Sequence, residues 1–478
     1  MSASFYFYDL ETTGVNPREA RIMQFAGIRT DMELNPIGEP HNVLIKLSDD
    51  VVPEPDAILI TGITPQSTIA DGITEAEFLK LFHSEVATPG TIFVGYNSVR
   101  FDDEFMRYLL YRNFYDPYEW QYTDNKSRWD LLDVVRMTRA LRPDGIQWPV
   151  DGKGVATNRL ELLTKANGIS HEDAHDALSD VRAVIEIAKL IKQNQPKLFS
   201  FLLAVRDKKA AKKVVDEGRP FLYSSGKYAT EFEKTAAVVK LADHPKRQGA
   251  LVYDLRYDPT LFANLSSAEL AEAWRWKKDD PTPRLPIKTL QYNRCPAVAP
   301  LSVLDDDSQK RLQITPKLIE ENYQKLLKLN IVPQVLQALE VLDKVQQDRY
   351  SQEDLEIDAR LYDSFIGDAD KSASRAVRSA GAEDLASLDI TFKDERLTGL
   401  LPLYKARNFT KYLSDEERTT WEKHRERKLL GGKQNSRMAK YFARLTELAA
   451  RADISSRDQY LLEELQLYGQ SIMPVDEY

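Results

Sequence analysis

Residues 5–14 read Phe5-Tyr6-Phe7-Tyr8-Asp9-Leu10-Glu11-Thr12-Thr13-Gly14, and this stretch decides the fold. Four aromatic residues are followed by two carboxylates two positions apart. Side chains alternate faces along a strand, so Asp9 and Glu11 share a face with Phe5 and Phe7. The pattern predicts a strand buried at its start and acidic at its end. Thr12-Thr13-Gly14 predicts a turn, where glycine lets the backbone approach a ligand closely. Two like charges on one face repel and call for a counter-charge. For hard oxygen donors that counter-charge is Mg²⁺ or Mn²⁺. Two solvated acids at an ordinary strand end are the plainer alternative, and this stretch alone does not separate the two.

Working outward, Arg21–Arg29 and Asn42–Lys46 read as second and third strands, and Ile58–Thr64 leads into a short loop. Glu75–Glu85 has helical spacing, with Phe78, Leu81 and Phe82 on one side. Thr91–Tyr96 is an apolar run of strand length, predicted to be buried on both faces. Asn97-Ser98-Val99-Arg100-Phe101-Asp102-Asp103-Glu104 falls where that strand gives way to a helix running through Met106, Leu109, Leu110 and Tyr111. Acids there complement the helix dipole, and one of the three can also face the first-strand carboxylates. Asp102 follows most directly on the strand's end. Further on, Leu178, Val181, Val184, Ile185, Ala188 and Ile191 form an apolar stripe at helical period. Asp176 is the predicted N-cap, His175 lies on the preceding loop, and Asp180 sits one turn into the helix. His171-Glu172-Asp173-Ala174-His175 matches the H-E-x-x-H zinc pattern. That chemistry needs one continuous helix across both histidines, and the cap at Asp176 falls after them.

At 478 residues the chain is too long for one core, and about three domains are expected. Its 42% hydrophobic and 29% charged residues are those of a soluble globular protein. No uncharged apolar run reaches the ~18 residues of a membrane helix, and the N-terminus lacks the basic-then-apolar pattern of a signal peptide. Cys295 is the only cysteine, which fits a reducing, cytoplasmic setting. The net charge of −9 argues against a uniformly basic nucleic-acid binder but leaves local patches open.

Asp9-x-Glu11 on a first strand, then Asn97-x-x-x-Phe101-Asp102, then His175-x-x-x-x-Asp180, resembles the ordered pattern of the DEDDh 3′→5′ exonucleases. Longer runs are similar to the bacterial exonuclease I family in particular. They include Ile60-Thr61-Gly62-Ile63-Thr64-Pro65-Gln66, Val99-Arg100-Phe101-Asp102-Asp103-Glu104, Tyr111–Tyr118, Ser127–Val134, Leu163–Ile169 and Tyr404-Lys405-Ala406-Arg407-Asn408-Phe409.

The resemblance implies an α/β RNase H-like exonuclease domain (1–195), an SH3-like β domain with flanking helices (196–350) and an all-α C-terminal domain (351–478). Strand-like runs at 219–224, 236–241, 250–255 and 287–292, and amphipathic helices over 316–347 and most of 355–475, agree with it. It further implies single-stranded DNA degraded 3′→5′ to 5′-mononucleotides by two-metal-ion hydrolysis, in DNA repair and recombination. By resemblance, Asp9, Glu11, Asp102 and Asp180 hold two Mg²⁺ ions, with Mn²⁺ able to substitute, and Glu11 also orients the attacking water. His175 is the general base, suited by an ordinary pKa near 6.5. Thr12, Thr13, Gly14, Asn97, Phe101 and Arg159, with Glu11, are candidate substrate contacts. Ile60–Thr64 is expected beside the terminal bases, where an apolar residue can act as a wedge.

Residues 205–250 carry 11 Lys/Arg against 6 Asp/Glu, and residues 404–445 carry 12 against 5, with Tyr404, Phe409, Tyr412, Trp421, Tyr441 and Phe442 among them. Composition favours solvated helix faces and core aromatics; the resemblance implies a single-strand groove instead. Arg142 and Arg219 are candidates for binding the acidic tail of single-stranded DNA-binding protein. The family suggests a monomer with no membrane association. A related enzyme acting on RNA or in proofreading, and a DNA-binding scaffold with a vestigial site, are the alternatives.

Overall fold

The computed structural model describes residues 3–171, 176–275, 283–349, 355–386, 388 and 390–474. The chain divides into two compact units, one of residues 1–127, 172–182 and 355–478, the other of 128–171 and 183–354.

The first unit is built on a sheet in which β1 (Ser4–Thr12) is central. β2 (Ile22–Thr30) pairs antiparallel with it, β3 (His41–Leu44) pairs antiparallel with β2, and β4 (Thr91–Gly95) runs parallel to β1. β3 ends two residues before the sequence suggests; Ile45 still donates to Met23 O of β2 at 2.8 Å and also bridges to Ile73. Alternation along β1 holds as expected. Tyr6, Tyr8 and Leu10 enter one core cluster with Phe25, Phe78, Phe82, Phe93 and Trp120, while Phe5 and Phe7 are buried outside it. β4 is buried throughout.

Three short helices follow β3: α1 (Pro55–Thr61), α2 (Pro65–Asp71) and α3 (Glu75–Leu81). α3 carries a complete capping box between Thr74 and Glu77. Gly62 closes α1 at a φ of +73°, a left-handed turn that glycine takes without steric cost. α4 (Asp102–Arg112) follows β4.

C-terminal helices complete this unit. Leu429, Met438, Tyr441, Leu445, Leu462 and Leu465 pack with Met23, Leu47, Val51 and Ile58. Leu361, Leu397, Leu400 and Tyr404 pack with Tyr108, Tyr111 and Phe114. The same seam contains buried ions. Asp50 is completely buried and takes Arg407 at 2.7 Å and Lys428 at 2.6 Å. Asp358 takes Arg21 at 2.5 Å and Arg407 at 3.0 Å. Burial alone would raise these carboxyls, but the cations hold both well below the usual carboxylate range.

The second unit contains an all-antiparallel sheet in the order 297–300, 221–224, 235–243, 249–254, 287–291. It corresponds to the expected β domain. The strand Ala297–Pro300 was not legible, because Pro296 and Pro300 read as breakers. It lies at the sheet edge, pairing only with Phe221–Ser224, where a missing N–H removes no ladder bond. Helices Pro316–Lys328 and Val332–Arg349 follow, as expected apart from a break at 329–331.

Candidate active site

β1 delivers Asp9 and Glu11 to the sheet's edge of chemistry. Asp9 lies opposite Ala26 and Glu11 opposite Gln24, and the register slips between Glu11 and Thr12. A bulge at this position re-aims the strand end, and pairing resumes at Thr12 opposite Ile22. The helix Ala177–Asn194 brings Asp180. One carboxylate oxygen from each of Asp9, Glu11 and Asp180 lies within 4.8 Å of the others. The sequence expectation that these three converge is therefore met in space.

The electrostatics are those of an uncompensated cluster. Burial raises the Asp9 carboxyl well above its ordinary range, and the charges of Asp102, Asp180 and Asp176 push it further. Burial and Asp9, Asp180 and Asp176 raise Glu11 to about 9. Oxygen donors of one sign, partly to fully buried and mutually repelling, suit a hard divalent cation. The donor set thus fits the metal the sequence calls for.

The three acids at the start of α4 are sorted by their partners. Asp103 accepts the Tyr8 hydroxyl at 2.6 Å. Glu104 accepts Arg107 at 2.6 Å and the Tyr362 hydroxyl. Asp102, buried at the first position of α4, is the one whose charge Asp9 feels most. Sequence reasoning singled it out only by position. Asp176 was read solely as a cap. It does cap the helix, accepting Ser179 N at 3.0 Å, but its other oxygen accepts Gln24 Nε2 at 3.2 Å and its charge reaches Asp9 and Glu11. Its spacing of one turn before Asp180 was the available signal.

His175 lies outside the described residues, as does Glu172. The H-E-x-x-H reading gains nothing: the helix begins at Ala177, and His171 precedes it, within hydrogen-bonding distance of Thr164 Oγ1 at 3.2 Å.

The remaining candidates are placed as follows. Thr12 Oγ1 donates to Gly14 O at 2.8 Å, and Thr13 Oγ1 accepts Arg21 N at 2.8 Å, so both hydroxyls brace the turn. Gly14 is approached closely by the Glu54 side chain. Asn97 takes a φ of +69° in the turn after β4, a conformation asparagine tolerates better than most residues. Phe101 is half-buried and packs against Phe105, ring centroids 4.9 Å apart and tilted by 51°. Within Ile60–Thr64, Ile60 is 55% exposed, whereas Ile63 packs into the seam.

Arg159 belongs to the second unit and pairs with Glu161 at 3.3 Å. So do Arg142, which pairs with Asp305 at 2.9 Å, and Arg219, which is exposed and pairs with Glu217 at 2.7 Å.

The groove expected over 404–445 is largely corrected. Tyr404, Trp421 and Tyr441 are buried core, and Phe409 and Phe442 pack against core clusters. Only Tyr412 among the six is exposed. Arg407, Arg425 and Lys428 are spent on buried carboxylates or backbone rather than on a surface. A run of aromatics at helical spacing does not say which face it occupies; here that face is inward.

Comparison with known proteins gives one consistent answer. The family model for exonuclease matches residues 6–188, that for the exonuclease I SH3-like domain matches 206–352, and that for the exonuclease I C-terminal domain matches 355–472. Exodeoxyribonuclease I of Escherichia coli is 42% identical over 428 residues, covering 88% of this chain and 89% of the relative. The zinc-ion-bound E. coli exonuclease I–ssDNA complex superposes with a TM-score of 0.91 at 38% identity, covering 98% of this chain and 99% of that one. A structure of SSB/exonuclease I in complex with the inhibitor CFAM gives 0.88 at 37% identity, covering 99% and 100%.

Proposed function

The chain belongs to the exonuclease I family and is an exodeoxyribonuclease that degrades single-stranded DNA from its 3′ end to 5′-mononucleotides; we propose that the acidic end of β1 is where it does so. The convergence of Asp9, Glu11 and Asp180 oxygens within 4.8 Å carries this reading. Asp9, Glu11, Asp102 and Asp180 hold the metal, which we assign as two Mg²⁺ ions, with Mn²⁺ able to substitute. When bound, these ions supply nucleophile activation and charge neutralisation at the leaving oxygen.

The chain's own residues do the rest. Glu11 orients the attacking water. An imidazole nitrogen of His175 takes the water's proton, the role for which imidazole is commonly used near neutral pH. Ile60, an exposed apolar side chain, is suited to wedge against the terminal bases. Thr12, Thr13, Gly14, Asn97, Phe101 and Arg159 complete the assignment as substrate contacts. Thr12 and Thr13 offer chiefly backbone, since their hydroxyls are engaged. The domains run 1–195, 196–350 and 351–478, the enzyme is a cytoplasmic monomer, and Arg142 and Arg219 bind the acidic tail of single-stranded DNA-binding protein. The SSB/exonuclease I relative supports that partner, and no helix among the described residues is long and apolar enough to cross a membrane.

The test is digestion of a 5′-labelled single-stranded DNA oligonucleotide with Mg²⁺ or EDTA, beside its duplex and an RNA of equal length. Metal-dependent shortening of the DNA single strand from its 3′ end is the expected result. Preference for the RNA would move the enzyme to another branch of the DEDDh group.

A further inference from the structure

The sheet of the second unit carries a second feature with ligand chemistry. A cavity of about 280 Å³ opens where the strand Gly249–Asp254 ends and Ile287–Gln291 begins. Its volume is near the lower limit of small-ligand sites and suits a single nucleotide unit. Four cations, Lys227, Arg256, Arg284 and Lys288, line it against one carboxylate, Asp254.

Among the described residues, Arg284 and Lys288 are left as positive charge beside the pairing of Arg256 with Asp254. Arg256 neutralises Asp254 at 2.9 Å through Nη1, donates from Nη2 to the carbonyls of Thr235 and Leu312, keeps an Nε–H with no partner among the described residues, and lies 3.7 Å over the Phe232 ring. That stack fixes a flat, electron-rich surface in the wall. Lys288 has no ion-pair partner among the described residues. Burial, together with Arg284 and Lys227, pushes its ammonium down to about 8. A cation held among cations in this way is poised for an anion.

An unpartnered polar atom completes the site. Tyr228 is 6% exposed, lines the cavity, and its hydroxyl has no hydrogen-bond partner among the described residues. A buried hydroxyl left unpaired costs free energy that a bound acceptor returns. Cationic side chains for a phosphate, an aromatic wall for a base and a spare donor occur together in one recess.

We infer that this recess binds a nucleoside monophosphate unit, with Lys288 and Arg284 on the phosphate, Tyr228 donating to it or to the sugar, and the base against the Phe232–Arg256 wall. Two sources share that chemistry: the free 5′-mononucleotide the enzyme releases, and a nucleotide within its single-stranded substrate. The inference rests on the cavity's own residues, not on the assignment of the nuclease site.

The experiment uses full-length Asp9→Asn protein in EDTA, so that metal-assisted binding at the β1 site does not contribute. Binding of dAMP, dTMP, deoxyadenosine, inorganic phosphate and a short dT oligonucleotide is followed by calorimetry. The comparison proteins carry Arg284→Ala, Lys288→Met or Tyr228→Phe in addition. Arg284 is exposed, so its replacement leaves folding intact, and a melting curve checks the other two.

A mononucleotide affinity that falls about ten-fold or more in Lys288→Met and Arg284→Ala, with deoxyadenosine and phosphate each much weaker, supports the inference. The same losses for the oligonucleotide alone assign the site to the strand; losses for free mononucleotides assign it to the product. Equal binding in all variants, or equal binding of deoxyadenosine and dAMP, overturns it. So does binding of an acidic peptide in place of every nucleotide tested.

Discussion

Two groups of buried carboxylates lie within the first unit, and they answer the same physical problem in opposite ways. At the end of β1, Asp9, Glu11, Asp102, Asp176 and Asp180 repel one another, and the Asp9 and Glu11 carboxyls are driven upward. In the seam, Asp50 and Asp358 are buried more deeply than Asp9, Asp176 and Asp180, yet Arg21, Arg407 and Lys428 hold them ionised. Burial alone would raise the carboxyls of both groups; the counter-charge differs. Where the chain supplies its own cations the carboxylates fasten one segment to another. Where it withholds them, it leaves a vacancy in charge that a metal completes.

Neutralising one acid in each group should therefore break different things. Asp9→Asn should lower exonuclease activity on the order of 10³-fold, while the metal-free protein melts no lower than the parent, since a repulsion has been removed. A variant that kept full activity would refute the site. Asp50→Asn should do the reverse. It leaves Lys428 buried without its ion-pair partner and Arg407 with Asp358 alone, at a cost of about 3–5 kcal/mol in denaturant unfolding, with activity retained per folded molecule.

The pH dependence sharpens the contrast. A carboxyl depressed in the folded state stabilises it above the unfolded pKa of about 4, and that stability is lost as pH falls through the folded value. Asp50 and Asp358 should therefore drive acid unfolding below about pH 4. In Asp50→Asn the slope of stability against pH in that range should be shallower than in the parent. An unchanged slope would show that other carboxylates govern acid unfolding.

Metal should distinguish the groups again. Mg²⁺ at a hundred-fold excess over its Kd should add about 2.7 kcal/mol to folding stability. Asp50→Asn should keep this increment, although it starts from a lower baseline, and Asp9→Asn should lose most of it. A parent protein whose melting ignores millimolar Mg²⁺ would mean that the cage forms only with DNA present.

Only one of these groups was legible beforehand. Alternation along Phe5–Glu11 placed two acids on one face, and a motif supplied Asp102 and Asp180. The seam was invisible because its partners are far apart in sequence, 337 residues for Arg21 and Asp358 and 378 for Lys428 and Asp50. Local pattern carries no trace of such a pairing, and Arg407 and Lys428 were counted as surface charge. For the aromatics of 404–445 composition favours core positions, which most of them take, and the resemblance favours a groove. Burial depends on what a helix packs against, and that is settled elsewhere in the chain. Asp176 lost its second role because an N-cap was already a sufficient explanation for it.

The smallest expected effect concerns how the acidic group is held. Tyr8 alternates with Asp9 on β1 and points to the opposite face, where its hydroxyl reaches Asp103 at 2.6 Å. That bond fixes the first turn of α4 against the strand, and hence the position of Asp102. Tyr8→Phe removes the hydroxyl but keeps the ring in its aromatic cluster with Phe25, Phe93 and Trp120. Stability should fall by about 1–2 kcal/mol. The Mg²⁺ concentration for half-maximal activity should rise about ten-fold, as it does when a ligand's support is removed. Added Mg²⁺ should restore the rate in Tyr8→Phe and not in Asp9→Asn, because one variant loosens a ligand and the other deletes it. Equal rescue, or none in either, would mean that Tyr8 does not act through Asp102.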